Sequence, residues 1–169
     1  AAGNLVARGI AAVRGEDHRS TLLDGMGAGA FSKAVPGSTG LEWLSHNEEN
    51  VTAYMNDPEC GAMFSAGGYA SLTALTREAC SAACAARVPH DLPLLYIAGD
   101  GDPVGDMGRG VRAAAKLAQD AGSVDVTCTI YEGMRHEILN ERDHERVYAD
   151  VWAWLDDRLA RQELGRKHG

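Results

Sequence analysis

The chain has 169 residues, and its composition limits the kinds of protein it can be. With 45% hydrophobic and 24% charged residues it has the balance of an ordinary soluble domain, long enough to bury one core. The formal net charge of −8 argues against polyanionic partners, namely nucleic acid and anionic membrane surfaces. No apolar run approaches the roughly 20 residues that a membrane-spanning helix needs, so we expect no transmembrane segment.

The first residues and the cysteines bear on processing and compartment. Ala1 to Asn4 include neither an initiator methionine nor a basic region, so we expect a cut edge rather than a signal peptide. The cysteines fit no C-x-x-C zinc pattern, and we expect free thiols rather than a bridge. A reducing cytoplasm favours free thiols, so we expect a cytoplasmic protein. The four cysteines are Cys60, Cys80, Cys84 and Cys128.

The first part of the chain predicts helices and loops. Leu5, Val6, Ile10 and Val13 have helical spacing, and this helix should end at Arg14-Gly15. The glycine-rich stretch 17–40 predicts a mobile loop of the kind that often forms a lid.

Two further helices are predicted before residue 90. Ser45-His46-Asn47-Glu48 is a capping box that should open a helix with an inner face of Val51, Tyr54 and Met55, ended by Asp57-Pro58. Gly67-Gly68 should break the chain again. The apolar stripe that runs from Leu72 to Ala86 then predicts a third helix, which stops before Pro89.

The stretch from Leu92 to Asn140 predicts strand, loop, helix, strand and loop. Leu92 to Ala98 is continuously apolar, as in a parallel strand covered on both faces, and Gly99 to Pro103 ends it. A helix with apolar residues from Val111 to Ala121 follows, and Gly122 stops it. Alternating residues from Val124 to Ile130 predict a second strand.

The last helix predicts a shortage of sheet. Its apolar stripe runs through Val147, Val151, Trp154, Leu155 and Leu159. Such a stripe needs a sheet to cover, and two strands are too few to cover it well. At least one strand edge should be open, and an open edge is a template for another strand. We therefore expect a partner, either the N-terminal half of the same fold or a second copy.

Asp102 and His136 follow the two predicted strands. The carboxyl ends of parallel strands share one edge of a sheet, where ligands bind in open α/β folds. Alone, an Asp-Pro after a strand is usually a turn and a lone histidine is usually a surface residue. Together they suggest a carboxylate that holds the tautomer of an imidazole and stabilises its protonated form.

Three segments carry a resemblance. GDGDPVG (99–105), YEGMRHEILNE (131–141) and TGLEWLSHNEENVTAYMNDPECGAMFSAGGY (39–69) resemble the cap and the C-terminal part of an α/β-hydrolase of the lysophospholipase and monoacylglycerol-lipase-like group. The resemblance implies an α/β fold with a helical cap over 1–90, and over 91–169 a strand-helix-strand-helix unit with parallel strands. It makes Asp102 the acid and His136 the base of a Ser-His-Asp triad.

The resemblance also implies a nucleophile that this chain lacks. In that fold the serine precedes the acid and lies in a G-x-S-x-G turn. No G-x-S-x-G occurs here, since Ser65 and Ser71 lack the flanking glycines. We expect the N-terminal core, with the serine, to lie outside these residues and the chain alone to be inactive.

The implied reaction is hydrolysis of an acyl ester, a monoacylglycerol or lysophospholipid, through a serine acyl-enzyme without metal or cofactor. Trp43, Met63 and Phe64 are candidate substrate contacts, although the methionine and the phenylalanine could instead be cap packing. The alternative function is a non-catalytic binding or assembly module derived from an α/β-hydrolase.

Overall fold

The computed structural model describes residues 2–168, in which helices surround a small parallel sheet. The helices and strands are α1 (Ala2–Arg14), α2 (Thr21–Met26), α3 (Ala28–Ala34), α4 (Glu48–Asn56), α5 (Ala66–Ala79), α6 (Ala82–Ala85), β1 (Leu94–Gly99), α7 (Arg109–Asp120), β2 (Val126–Tyr131) and α8 (His144–His168). Among the described residues, no helix is both long enough and apolar enough to cross a bilayer.

β1 and β2 pair in parallel, as predicted, with Leu94 opposite Val126 and Gly99 opposite Tyr131. α7 forms the crossover between them. Both strands begin two residues later than predicted. Pro93 has no amide proton to donate to a ladder, and Val124 is 79% exposed.

Small residues, rather than the predicted apolar stripes, form the contact between α1 and α5. Ala7 and Ala66 are fully buried there, and the side chain of Asn4 donates to the carbonyl of Ala70 at 2.7 Å. Leu5 is 72% exposed and Leu75 is 66% exposed. The prediction that these stripes face inward is therefore wrong, because alanines allow the two helices to approach more closely than leucines would.

Residues 17–40 contain two short helices, so the prediction of a glycine-rich loop is wrong. The Ser20 side chain caps α2 by accepting from the amide of Leu23 at 3.4 Å. Gly27 joins α2 to α3, and a Cβ at this glycine would lie 3.1 Å from the Tyr69 ring. Glycine is here a requirement of close packing against α5.

Helix ends in the cap region also differ from the prediction. The N-cap of α4 is Asn47, which accepts from the amide of Glu49, whereas Ser45 accepts from the amide of Asn47. Gly67 and Gly68 do not break the chain, because they lie in the first turn of α5 after its N-cap Ser65. The predicted third helix is divided between Ala79 and Ala82. All four cysteines are free thiols, as predicted.

The sheet covers only the beginning of α8. Val147 is fully buried against Tyr131, Met134 and Ile138. Farther along, Leu159 is 57% exposed. This gradient is what a two-stranded sheet predicts, since it is too narrow to cover the whole helix.

Candidate active site at the carboxyl edge of the sheet

The loops that follow β1 and β2 are fastened to each other. A Cβ at Gly99 would lie 2.1 Å from the carbonyl oxygen of Met134, so only glycine fits there. The amide of Gly101 donates to the same carbonyl at 2.9 Å. The Asp100 side chain accepts from the amide of Gly133 at 2.8 Å. These contacts fix the two strand ends relative to each other.

Asp102 is buried in the first of these loops, with 6% of its surface exposed. Its Oδ1 accepts from the amide of Val104 at 2.8 Å, and its carbonyl accepts from the amide of Met107 at 2.8 Å. Asp106 and Met107 both have φ of 54°, a left-handed conformation that is uncommon outside glycine. The loop thus turns tightly around Asp102 and leaves Oδ2 directed toward the second loop.

His136 meets Asp102 across the sheet edge. Its Nδ1 lies 3.2 Å from Oδ2 of Asp102. A carboxylate oxygen can only accept, so Nδ1 carries the proton. This hydrogen bond raises the pKa of His136 above its usual value, against the opposing effect of partial burial, and the charge of Glu137 raises it further. The His136 side chain is 39% exposed, and among the described residues nothing hydrogen-bonds to its Nε2.

A segment before α4 lies against the His136 loop. The amides of His136 and Glu137 donate to the carbonyls of Trp43 at 3.3 Å and Leu44 at 2.8 Å. The Trp43 ring lies 5.4 Å from the imidazole, at an angle of 47°, and the Phe31 ring lies 5.4 Å from the Trp43 ring. An aromatic wall thus stands beside the imidazole.

The predicted substrate contacts are only partly brought together. Trp43 lies against His136, whereas Phe64 is 54% exposed and packs edge-on against Tyr69 on α5. Met63 is half-buried. A substrate role for Met63 and Phe64 therefore stays a prediction. Sequence reasoning gave no role to Phe31, because nothing in its surroundings pointed to the sheet edge.

Glu141 was also missed. It is only 2% exposed, and its carboxylate accepts from the amides of Arg135 and His46. The available signal was its place at the end of the R-H-E-x-x-N-E segment, but an acid at that place also suits the start of a helix.

The arrangement is suited to general base chemistry. With Nδ1 held as a donor to a buried carboxylate, Nε2 is the acceptor and can take a proton from a hydroxyl group. Ser65 is the N-cap of α5 and Ser71 lies exposed on that helix. Within residues 2–168, no group of histidine, cysteine, aspartate or glutamate side chains could hold a metal ion.

Solved structures similar to this chain are hydrolases about twice its length. A thermostable carboxyl esterase from Bacillus coagulans, in complex with glycerol, aligns with a TM-score of 0.82 and 23% identity over 91% of this chain and 51% of the esterase. A lipase in an open form aligns with a TM-score of 0.76 and 26% identity, over 92% and 51%. A monoacylglycerol lipase from Paleococcus ferrophilus aligns with a TM-score of 0.57 and 20% identity, over 90% and 64%.

The chain therefore has a partial α/β-hydrolase fold and spans about half the length of the first two of these proteins. A family model described as "Serine aminopeptidase, S33" matches residues 10–143, a range that includes both strands, Asp102 and His136. This match covers most of the chain, and it confirms the predicted α/β-hydrolase resemblance. The chain belongs to the serine aminopeptidase S33 family of α/β-hydrolases.

Proposed function

We propose that this chain supplies the acid and the base of a serine hydrolase that cleaves carboxylic esters. The observation that carries the proposal is the 3.2 Å contact between Nδ1 of His136 and Oδ2 of the buried Asp102. A half-exposed imidazole whose Nδ1 is held by a buried carboxylate is the arrangement that a Ser-His-Asp triad requires. The serine and the oxyanion-hole donors come from residues outside this chain.

The roles of the two side chains follow from their geometry. Nε2 of His136 takes the proton from the serine hydroxyl as the serine oxygen attacks the ester carbonyl. Asp102 stabilises the imidazolium, which then gives this proton to the departing alkoxide. A water molecule hydrolyses the acyl-enzyme in the second half of the reaction, with His136 again as base.

The proposed substrate is a monoacylglycerol or a lysophospholipid. The aromatic wall of Trp43 and Phe31 beside His136 supports an apolar acyl group at this place. Trp43 Nε1 is buried without an acceptor among the described residues. Since buried donors are nearly always paired, we expect its acceptor to come from the substrate or from the remainder of the protein. Met63 and Phe64 are proposed as further acyl contacts.

The organisation of the chain is part of the same proposal. Residues 1–90 form the cap over the site, and 91–169 form the C-terminal part of the catalytic core. The four free thiols support a cytoplasmic location. The remaining core, or a second copy of the chain, is proposed to pair with the free edge of β1.

Covalent labelling of the serine tests this function. The coding sequence upstream of Ala1 is read, and the longer protein is produced beside the 169-residue chain. Both are treated with a fluorophosphonate probe and assayed with p-nitrophenyl butyrate, with an amino-acid p-nitroanilide as the control substrate.

We expect labelling at a G-x-S-x-G serine and ester turnover in the longer protein alone. Labelling of Ser65 or Ser71 in the 169-residue chain would contradict the placement of the nucleophile. Preference for the p-nitroanilide would contradict ester specificity. An unlabelled, inactive longer protein would favour the alternative, a non-catalytic assembly module.

A further inference from the structure

Glu141 joins two segments that are far apart in the sequence. Its Oε1 accepts from the amide of Arg135 at 2.8 Å, and its Oε2 accepts from the amide of His46 at 2.9 Å. Arg135 directly precedes His136, and His46 closely follows Trp43 and Leu44, whose carbonyls accept from the His136 loop. One carboxylate therefore closes the junction between the cap segment and the loop that carries the proposed base.

The burial of Glu141 makes this junction rigid. Only 2% of the residue is exposed, and no arginine, lysine or histidine pairs with its carboxylate in the described residues. A buried carboxylate without a cation depends on its hydrogen bonds, because losing one leaves a buried polar group unpaired. Its two backbone donors are therefore held firmly in place.

His136 has little freedom to lose. Its contact with Asp102 is 3.2 Å, at the long end of the range for hydrogen bonds between nitrogen and oxygen. The amide of His136 reaches the Trp43 carbonyl at 3.3 Å, which is longer still. A displacement of the loop by a few tenths of an ångström would break both contacts, so the imidazole depends on the stronger bonds beside it.

We infer that Glu141 is a positioning residue, which holds the His136 loop against the segment 43–46 so that Nδ1 stays in reach of Asp102. This inference rests on the proposed function, but its physical content is a dependence of the Asp102–His136 contact on Glu141. That dependence is measurable in the 169-residue chain without any turnover.

Two variants separate positioning from charge. Glu141→Asp keeps the negative charge, but its shorter side chain cannot reach both amides. Glu141→Gln keeps the length, but its amide nitrogen faces one of the two N–H donors and cannot accept. Asp102 and Glu137 are the charged groups that raise the pKa of His136. A fall in this pKa that appears in both variants therefore reports a weaker contact with Asp102.

The control is a stability loss elsewhere in the molecule. Leu23→Ala removes a side chain that is 3% exposed in the cluster formed by α1, α2 and α5. It should lower the free energy of unfolding without touching the His136 loop. The pKa and the ring tautomer of His136 are measured in all four proteins by nitrogen-15 NMR.

We expect both Glu141 variants to lower the pKa of His136 toward its usual value and to populate a mixture of ring tautomers, with Leu23→Ala unchanged. A shift in Glu141→Gln alone would show a charge effect and overturn the inference. So would unfolding of both Glu141 variants, because Glu141 would then hold the fold rather than the imidazole. If the unaltered chain lacks the Nδ1–H tautomer, the proposed function fails, whatever the variants show.

Discussion

Asp102→Asn changes one atom of the proposed acid, and the structure predicts which atom. Oδ1 of Asp102 accepts from the amide of Val104 at 2.8 Å, so the oxygen of asparagine should take this place. The amide nitrogen then replaces Oδ2, 3.2 Å from Nδ1 of His136. An NH₂ group can only donate, so Nδ1 becomes an acceptor and the imidazole proton moves to Nε2.

The energetic consequence depends on pH. A hydrogen bond to a charged group contributes about 1.5–3 kcal/mol and a neutral one about 0.5–1.5 kcal/mol. Because 39% of the His136 side chain is exposed, we take the low end, a loss of about 1 kcal/mol. The hydrogen bond to Asp102 raises the pKa of His136 above 6.5, so its contribution is complete below pH 6.5 and is lost as pH rises through the folded-state pKa. The variant should therefore lose about 1 kcal/mol more at pH 5 than at pH 9.

The assay is nitrogen-15 NMR of the imidazole, together with urea unfolding at the two pH values. The unaltered chain should carry the proton on Nδ1, and Asp102→Asn should carry it on Nε2. Asp100→Asn is the matched control, because Asp100 lies in the same loop and its oxygen can still accept from the amide of Gly133. An Nδ1–H tautomer in Asp102→Asn, or an equal effect of Asp100→Asn, would refute the reasoning.

Three further predictions concern stability and association. Hydrogen bonds, first from the amide of Thr39, lower the pKa of Glu42 to about 2, so Glu42 stabilises the fold above pH 4.5 and loses this effect toward pH 2. Glu42→Gln should cost about 1 kcal/mol in urea unfolding at pH 7 and almost nothing at pH 2, and an equal cost at both would contradict this. Arg158→Lys breaks a two-point contact with Asp125, at 2.7 and 3.1 Å, and should cost about 1 kcal/mol, against less than about 0.5 kcal/mol for the exposed Arg161→Lys. Sedimentation at micromolar concentration should show self-association through the free edge of β1; a cooperative monomer that binds no hydrophobic dye would exclude it.

The strands and the position of the candidate site could be predicted because their signals are local. A continuous apolar run ended by Gly99 to Pro103 leaves few alternatives to a buried strand. Parallel strands ending at one edge then bring Asp102 and His136 together without knowledge of any other packing. The structure agrees on both points, with the parallel pairing and the 3.2 Å contact.

The helix faces could not be predicted in the same way. Leu5 and Leu75 are apolar and regularly spaced, yet the buried faces of their helices are marked by Ala7 and Ala66. Hydrophobicity alone cannot tell which of two apolar faces packs inside the chain and which remains exposed. The helices within 17–40 were missed because their glycines suit close packing as well as loops. Glu141 was missed because its role depends on backbone donors from two distant segments.

The central claim is that His136 is the general base of an ester hydrolase. The most direct measurement is the turnover of p-nitrophenyl butyrate by the longer protein carrying His136→Gln, compared with the unaltered protein and with His90→Gln, whose exposed histidine lies outside the site. The account predicts a loss of about three orders of magnitude or more in kcat for His136→Gln and full activity for His90→Gln. Activity of His136→Gln within about tenfold of the unaltered protein would contradict it.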